Sequence, residues 1–257
     1  MEDNPINQEL ADGLLKVAGL VVETAYDGVR AVEMATSRPY DVILMDMQMP
    51  IMDDLATRAI RARLGNTTPI IAVTANAFGE ERAACLDAGM NDHLAKPVDP
   101  ELLYSTLLRW LPQRPNESEA STAESPPPEV APAEIGPLAD RLEAIDGYDL
   151  AAGLRNVGGQ LPTLSRVLRQ FVRAYRAGEP AFVSPSTHDT VKRWSDQCHS
   201  VRGACAAIGA TWLQGQFATF EQQLAAPGDV QALEPQVRQL HQDLVVLAGR
   251  LGDELER

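Results

Sequence analysis

Short apolar runs alternate with stretches of helical periodicity through the first 111 residues. Leu20–Ala25, Asp41–Asp46, Pro69–Ala75 and Asp92–Lys96 read as strands: three are rich in Val, Ile or Leu, and each is short enough to cross a sheet once. Between them Pro5–Ala18, Asp27–Ser37, Asp54–Leu64, Gly79–Ala88 and Asp99–Leu111 read as helices. Asp27 and Asp99 stand at N-cap positions, and Pro5 and Pro100 suit a first helical turn. This alternation predicts an α/β domain with a doubly wound parallel sheet covered on both faces. After residue 138 only helical spacing remains. Leu161–Ala177, a long segment around Val191–Leu224, and Val230–Leu255 carry apolar residues three and four apart, with Asp140–Val157 as a shorter lead-in. Four such segments predict an all-α four-helix bundle.

The two patterns are separated by residues 112–137, which are rich in Pro, Glu, Ser and Ala and nearly devoid of large apolar side chains. A segment of that composition cannot bury enough surface to offset its chain entropy, so it is expected to be an extended, mobile linker. Domain boundaries follow at 1–111, 112–137 and 138–257.

Charge narrows the possible partners. The formal net charge is −14, with −8 in residues 1–112, so neither half offers a basic surface for nucleic acid. An acidic first half is compatible with a divalent cation. Three cysteines and no secretory signal predict a reduced, cytoplasmic setting. The spacing of Cys198, His199 and Cys205 does not match a zinc site, and small buried thiols are the simpler reading. No stretch approaches the ~18 apolar residues of a membrane span.

In an open parallel sheet, functional groups collect beyond the carboxyl ends of the strands. Asp46 ends one predicted strand, Thr74 nearly ends the next and Lys96 ends the last, while Glu2 and Asp3 immediately precede the first helix. Three carboxylates can hold a hard divalent cation, and Mg²⁺ suits a partly hydrated oxygen site. Lysine and a hydroxyl beside them offer a fixed positive charge and a donor for phosphoryl oxygens. Asp46 would then be a carboxylate nucleophile forming an acyl phosphate.

Glu2-Asp3-Asn4, Met45-Asp46-Met47-Gln48-Met49-Pro50, Thr74-Ala75 and Lys96-Pro97 together resemble the receiver domain of two-component response regulators, a flavodoxin-like fold. The stretch Asn91–Val98 is similar to receivers of hybrid histidine kinases. The resemblance implies that Asp46 accepts phosphate, that Asp3 and Asp46 bind Mg²⁺ with help from Glu2, and that Gln48 adds a backbone carbonyl. It implies that Thr74 and Lys96 contact the phosphoryl group, that Lys96–Pro97 is cis, and that His93 occupies the position of the switch aromatic. Two departures stand out. Met52–Arg58 lacks the family's glycine and is one residue short, and no apolar run precedes Glu2 to form the family's central first strand. Several side chains, each worth about 1.5–3 kcal/mol when buried, are thereby missing from a domain held by roughly 5–15 kcal/mol. Residues 1–111 are therefore expected to be marginally stable and Asp46 to be phosphorylated poorly.

In the second half, Trp194, Cys198, Val201, Cys205 and Ile208 form one stripe on a helical wheel, predicted to face the core. His199 lies about 140° from the stripe's centre, among the small residues Gly203, Ala206 and Ala210, with Arg202 one turn on. An imidazole without bulky neighbours lets another protein's site approach, and Arg202 can pair with a phosphoryl group. His188 and His241 lack such surroundings. His199-Ser200-Val201-Arg202-Gly203-Ala204 with Ile208-Gly209-Ala210 resembles the histidine phosphotransfer (Hpt) domain, with Arg202 in place of the usual Lys. Gly153-Leu154-x-x-Val157-Gly158-Gly159 and Phe171-Val172 also fit that family. Pro180 and Pro185 fall where the family has a helix, which must start late, kink or be lost.

Receiver and Hpt domain across a linker resemble one end of a hybrid histidine kinase. The resemblance implies a phosphorelay component without an ATP-binding kinase core, passing phosphate between Asp46 and His199 under an upstream histidine kinase and above a downstream response regulator. A docking module with a degenerate receiver is the competing reading. A phosphatase using Asp46 as nucleophile would need an acid at Gln48.

Overall fold

The computed structural model describes residues 2, 4–47, 53–65, 67–74, 80–112, 132–183, 190–226 and 230–257. The chain divides into two compact units, Met1–Asp3 with Glu23–Gly136 and Asn4–Val22 with Pro137–Arg257. The first helix, α1 (Pro5–Val17), therefore belongs with the second unit. Its start is fixed by Asn4, whose side chain accepts a hydrogen bond from the Ile6 amide at 2.9 Å, and by Pro5 in the first turn.

The first unit alternates helix and strand as its pattern predicts: α2 (Gly28–Ser37), β1 (Ile43–Asp46), α3 (Asp53–Leu64), β2 (Ile70–Thr74), α4 (Glu80–Asp87), β3 (Asp92–Ala95) and α5 (Pro100–Trp110). Asp27 and Asp99 cap α2 and α5 by accepting from the Arg30 and Leu102 amides. The three strands pair in parallel in the order β1-β2-β3, with Asp46 opposite Val73 and Thr74 opposite Ala95. Central β2 is buried along its whole length, as a parallel strand between two neighbours requires. Val32 and Ala35 from α2 and Ala56 and Ile60 from α3 close with Met45, Ile70 and Ala72 into one apolar core.

Leu20–Ala25, predicted as a strand, joins no ladder among the described residues; one amide, that of Glu2, reaches the Ala25 carbonyl at 3.4 Å. A strand exists by virtue of its pairing, and β-propensity alone did not supply a partner. Val21 is 97% exposed as a result.

The second unit is helical. After α6 (Pro132–Glu143) and α7 (Leu150–Asn156) come α8 (Leu161–Tyr175), the single turn α9 (Pro180–Val183), α10 (Thr190–Ile208), α11 (Thr211–Ala225) and α12 (Glu234–Leu255). α8 packs on α12, α10 on α11, α11 on α12, and α1 on α8 and α10. The segment predicted as one lead-in over 140–157 is two helices. The chain turns at Gly147, whose φ is +80°, before Asp149 caps α7, and a positive φ of that kind favours glycine. The segment read as continuous over 191–224 is a helical hairpin broken at Gly209, φ +87°. Residues 132–137, assigned to the linker, lie in α6, where Pro132 takes the first position that proline tolerates; the remainder of the linker, 113–131, lies outside the described residues. The helix strained by Pro180 and Pro185 reduces to α9, with 184–189 outside the described residues. Among the described residues no helix is long and apolar enough to cross a membrane. Cys85, Cys198 and Cys205 are buried free thiols.

Candidate functional site

The carboxyl ends of the three strands assemble the first site. Asp46, the last residue of β1, is 1% exposed, and Thr74, the last of β2, is fully buried. Lys96 follows β3 and donates its backbone amide to the Thr74 carbonyl at 2.8 Å. Its ammonium lies 2.7 Å from Asp46 Oδ2 and 2.8 Å from Glu2 Oε2. Asp46 and Lys96 meet because parallel strands bring their ends to the same edge, and Glu2, on no strand itself, reaches the same cation from ahead of α1. The Lys96–Pro97 peptide is cis, as anticipated. Asp3 and Gln48 lie outside the described residues, and His93 sits half-buried in β3 beside Asp92.

Burial by itself would depress the Lys96 ammonium, but Glu2 and Asp46 outweigh it, and the lysine pKa is raised. A raised lysine pKa stabilises the fold below the ordinary lysine value, and that contribution fades as pH climbs through the raised one. Replacing Lys96 with Met takes the cation away from a buried carboxylate, a loss of about 3–5 kcal/mol. Amide exchange of Ile71–Val73 is expected to quicken accordingly at neutral pH. Unchanged exchange would mean that Asp46 finds another partner. The carboxylates of Glu2 and Asp46, converging on one cation, are hard oxygen donors of the kind Mg²⁺ takes. Among the described residues no three metal-ligating side chains cluster.

The second site lies on α10. Trp194, Cys198, Val201, Cys205 and Ile208 are all buried, as the wheel predicts, while the His199 side chain keeps 32% of its surface exposed. Gly203 and Ala206 are partly exposed beside it, but Ala210 is fully buried because the chain has left α10 by then and Ala210 caps α11. Arg202 places a guanidinium nitrogen 3.1 Å from His199 Nδ1.

Two features here escape sequence reasoning. Glu221 of α11 faces His199 across the hairpin, with Oε1 3.6 Å from Nδ1 and Oε2 2.9 Å from Arg202 Nε. Burial raises its carboxyl pKa, and Arg202 offsets part of that rise. The second is α1. The Asn4 amide donates to the Ser200 hydroxyl at 3.0 Å, Glu9 pairs with Arg166 at 3.0 Å, and Gly13 comes so close to Thr163 that a Cβ would lie 2.6 Å from its methyl. The helix therefore packs on the face of α10 that carries Ser200 and Gly203, next to His199. Neither contact leaves a signature in local periodicity.

Comparison with known proteins agrees with this geometry. Residues 1–108 match the response regulator receiver domain. The chain is 31% identical over 242 residues to the signal transduction histidine-protein kinase BarA of Escherichia coli K12, covering 93% of this chain and 25% of BarA. It is 30% identical over 227 residues to the sensor protein GacS of Pseudomonas syringae pv. syringae, covering 83% of this chain and 23% of GacS. The chain thus spans about a quarter of these relatives' length. The receiver domain of the sensor histidine kinase PA1611 of Pseudomonas aeruginosa, solved with a magnesium ion in its active-site cleft, is 47% identical; the match covers 43% of this chain and 92% of that one, at a TM-score of 0.41. Residues 1–108 thus form a response regulator receiver domain, and over 242 residues the chain is homologous to the receiver-plus-Hpt region of hybrid sensor kinases.

Proposed function

We propose that this chain is a phosphorelay component that passes a phosphoryl group between Asp46 and His199 and onward to a separate response regulator. The observation that carries the reading is the pairing of Asp46 with Lys96 at the strand ends, at 2.7 Å, in a chain that also presents a half-exposed histidine beside an arginine. Asp46 attacks phosphorus through a carboxylate oxygen and forms an acyl phosphate. Lys96 moves its charge from the free carboxylate to the phosphoryl oxygens, and the Thr74 hydroxyl donates to one of them. Glu2, Asp3, Asp46 and the Gln48 carbonyl are the residues that would hold Mg²⁺, which when bound neutralises phosphoryl charge. His199 takes the group as a phosphoramidate, and Arg202 pairs with its oxygens. The phosphate comes from an upstream histidine kinase, so the chain acts as a carrier and not as a kinase. A cytoplasmic location and domain boundaries at 1–111, 112–137 and 138–257 belong to the same reading.

The test is to incubate the full chain with a small acyl-phosphate donor and Mg²⁺. Base-labile label at Asp46, at low level, followed by acid-labile label at His199 is the expected order. Leu20–Ala25, standing outside the ladder, favours a second reading in which the receiver only docks. In that case His199 accepts phosphate from a phosphorylated receiver in trans while Asp46 stays unlabelled.

A further inference from the structure

We propose that Arg202 and Glu221 form a tautomer switch on His199: Arg202 holds the imidazole in its non-nucleophilic form until a phosphoryl group draws the guanidinium away, and Glu221 then secures the nucleophilic form. The proposal rests on the reading of His199 as phosphoacceptor.

Two groups of opposite demand share one ring nitrogen. Arg202 places its NH2 group 3.1 Å from His199 Nδ1, and a guanidinium only donates. That contact needs a lone pair on Nδ1, so the single proton of the neutral ring sits on Nε2. With Nε2 protonated, its lone pair is tied into the ring π system and cannot attack phosphorus. Glu221 Oε1 stands 3.6 Å from the same Nδ1, beyond hydrogen-bond reach, and as a carboxylate it only accepts. This oxygen is buried and has no hydrogen-bond partner among the described residues. A proton on Nδ1 would satisfy it after a small rotation of either side chain, and would leave Nε2 unprotonated.

Arg202 is built to pivot between these states. Its Nε lies 2.9 Å from Glu221 Oε2, yet that Nε–H is poorly aligned and also lacks a hydrogen-bond partner among the described residues. The guanidinium therefore stays anchored by charge while its NH2 end can exchange Nδ1 for a phosphoryl oxygen. A doubly charged phosphoryl group is the stronger acceptor, so the incoming group triggers the exchange. In the transfer step the Nε2 lone pair forms the N–P bond as the P–O bond of an aspartyl phosphate breaks, and the bonding electrons return to that carboxylate. The proton stays on Nδ1, where Glu221 meets the positive charge that develops on the ring. Glu221 is thus a positioning residue, acting through His199.

The test uses full chain labelled with ¹⁵N-histidine, observed by long-range proton–nitrogen correlations above the imidazole titration range, with His199 assigned by its absence in His199→Gln. Wild type is expected to show the Nε2–H form. Arg202→Ala should switch His199 to Nδ1–H, and Arg202→Ala with Glu221→Ala should return it to Nε2–H. Where amide spectra show that Arg202→Ala has lost the fold, Arg202→Met preserves the aliphatic packing and carries the same test. Glu221→Ala alone should keep Nε2–H yet slow phosphoryl transfer to His199 at least about tenfold, the scale on which an orienting partner is felt, whereas Glu221→Gln, which retains an acceptor oxygen, should recover most of the rate. An Nδ1–H form in wild type, or a tautomer unmoved by either arginine variant, overturns the switch. Absence of acid-labile label in wild type would instead overturn the phosphoacceptor reading, because the tautomer measurement needs no phosphate.

Discussion

Replacing His199 with Gln is expected to leave a chain that still takes phosphate on Asp46 but holds no acid-labile label. Phosphoramidates survive base and hydrolyse in mild acid, while acyl phosphates are lost in base and outlast phosphoramidates in mild acid, so the two positions separate by lability under those two conditions. The reciprocal variant, Asp46→Asn, should lose label from a small acyl-phosphate donor at both positions and still accept it at His199 from a phosphorylated receiver added in trans. No described side chain near His199 can substitute for it. Cys198 and Cys205 are completely buried, and burial raises both thiol pKa values, which suppresses the thiolate form. His241 Nδ1 accepts from the Glu179 amide at 3.3 Å beneath the Gly178 turn, so its ring is committed to a structural contact. The loss should therefore be at least on the order of a thousandfold, as befits removal of a covalent nucleophile. Acid-labile label remaining in His199→Gln would move the phosphoacceptor elsewhere.

What the sequence disclosed depended on whether the deciding contact was local. The stripe Trp194, Cys198, Val201, Cys205, Ile208 is a property of one helix, and it is buried as its spacing implies. Asp27 and Asp99 cap helices through amides three residues ahead, well within the reach of pattern reading. The strand ends carrying Asp46, Thr74 and Lys96 were also legible, since parallel topology brings any such ends to one edge. Leu20–Ala25 was not, because β-propensity says nothing about whether a neighbouring strand is present. Glu221 was hidden for a related reason. It reaches His199 only because Gly209 folds α10 and α11 into a hairpin, and apolar spacing runs through that glycine without a break. Gly209 stands within the Ile208-Gly209-Ala210 motif, but its conformation is what gives it meaning.

Gly209→Ala is expected to be among the most destabilising single-methyl changes in the chain. Gly209 has φ +87°, and a Cβ there would lie 2.5 Å from the Asp149 carbonyl oxygen, 2.5 Å from the Gly153 amide nitrogen and 2.9 Å from Gly153 Cα. All three are backbone atoms, so no side chain can rotate aside. The approach is mutual: a Cβ on Gly153 would sit 2.6 Å from the Ile208 carbonyl oxygen. The Asp149 amide donates to the Gly209 carbonyl at 3.0 Å, and Asp149 in turn caps α7. Separating these backbones would break that hydrogen bond and disturb the cap. The left-handed conformation costs an alanine roughly 1–2 kcal/mol, and forcing a methyl into closed packing costs about 1–3 kcal/mol more. Together these approach the lower end of the roughly 5–15 kcal/mol that holds a domain. Gly215, in the body of α11 with nothing within 4 Å of its Cβ position, is the control: alanine there should stabilise by about 0.5–1 kcal/mol through helix propensity. Urea unfolding of the two variants, followed by Trp194 and Trp212 fluorescence, should move the midpoint in opposite directions. A Gly209→Ala midpoint equal to that of Gly215→Ala would mean that the α10–α11 turn relaxes freely and does not fix the hairpin that brings Glu221 to His199.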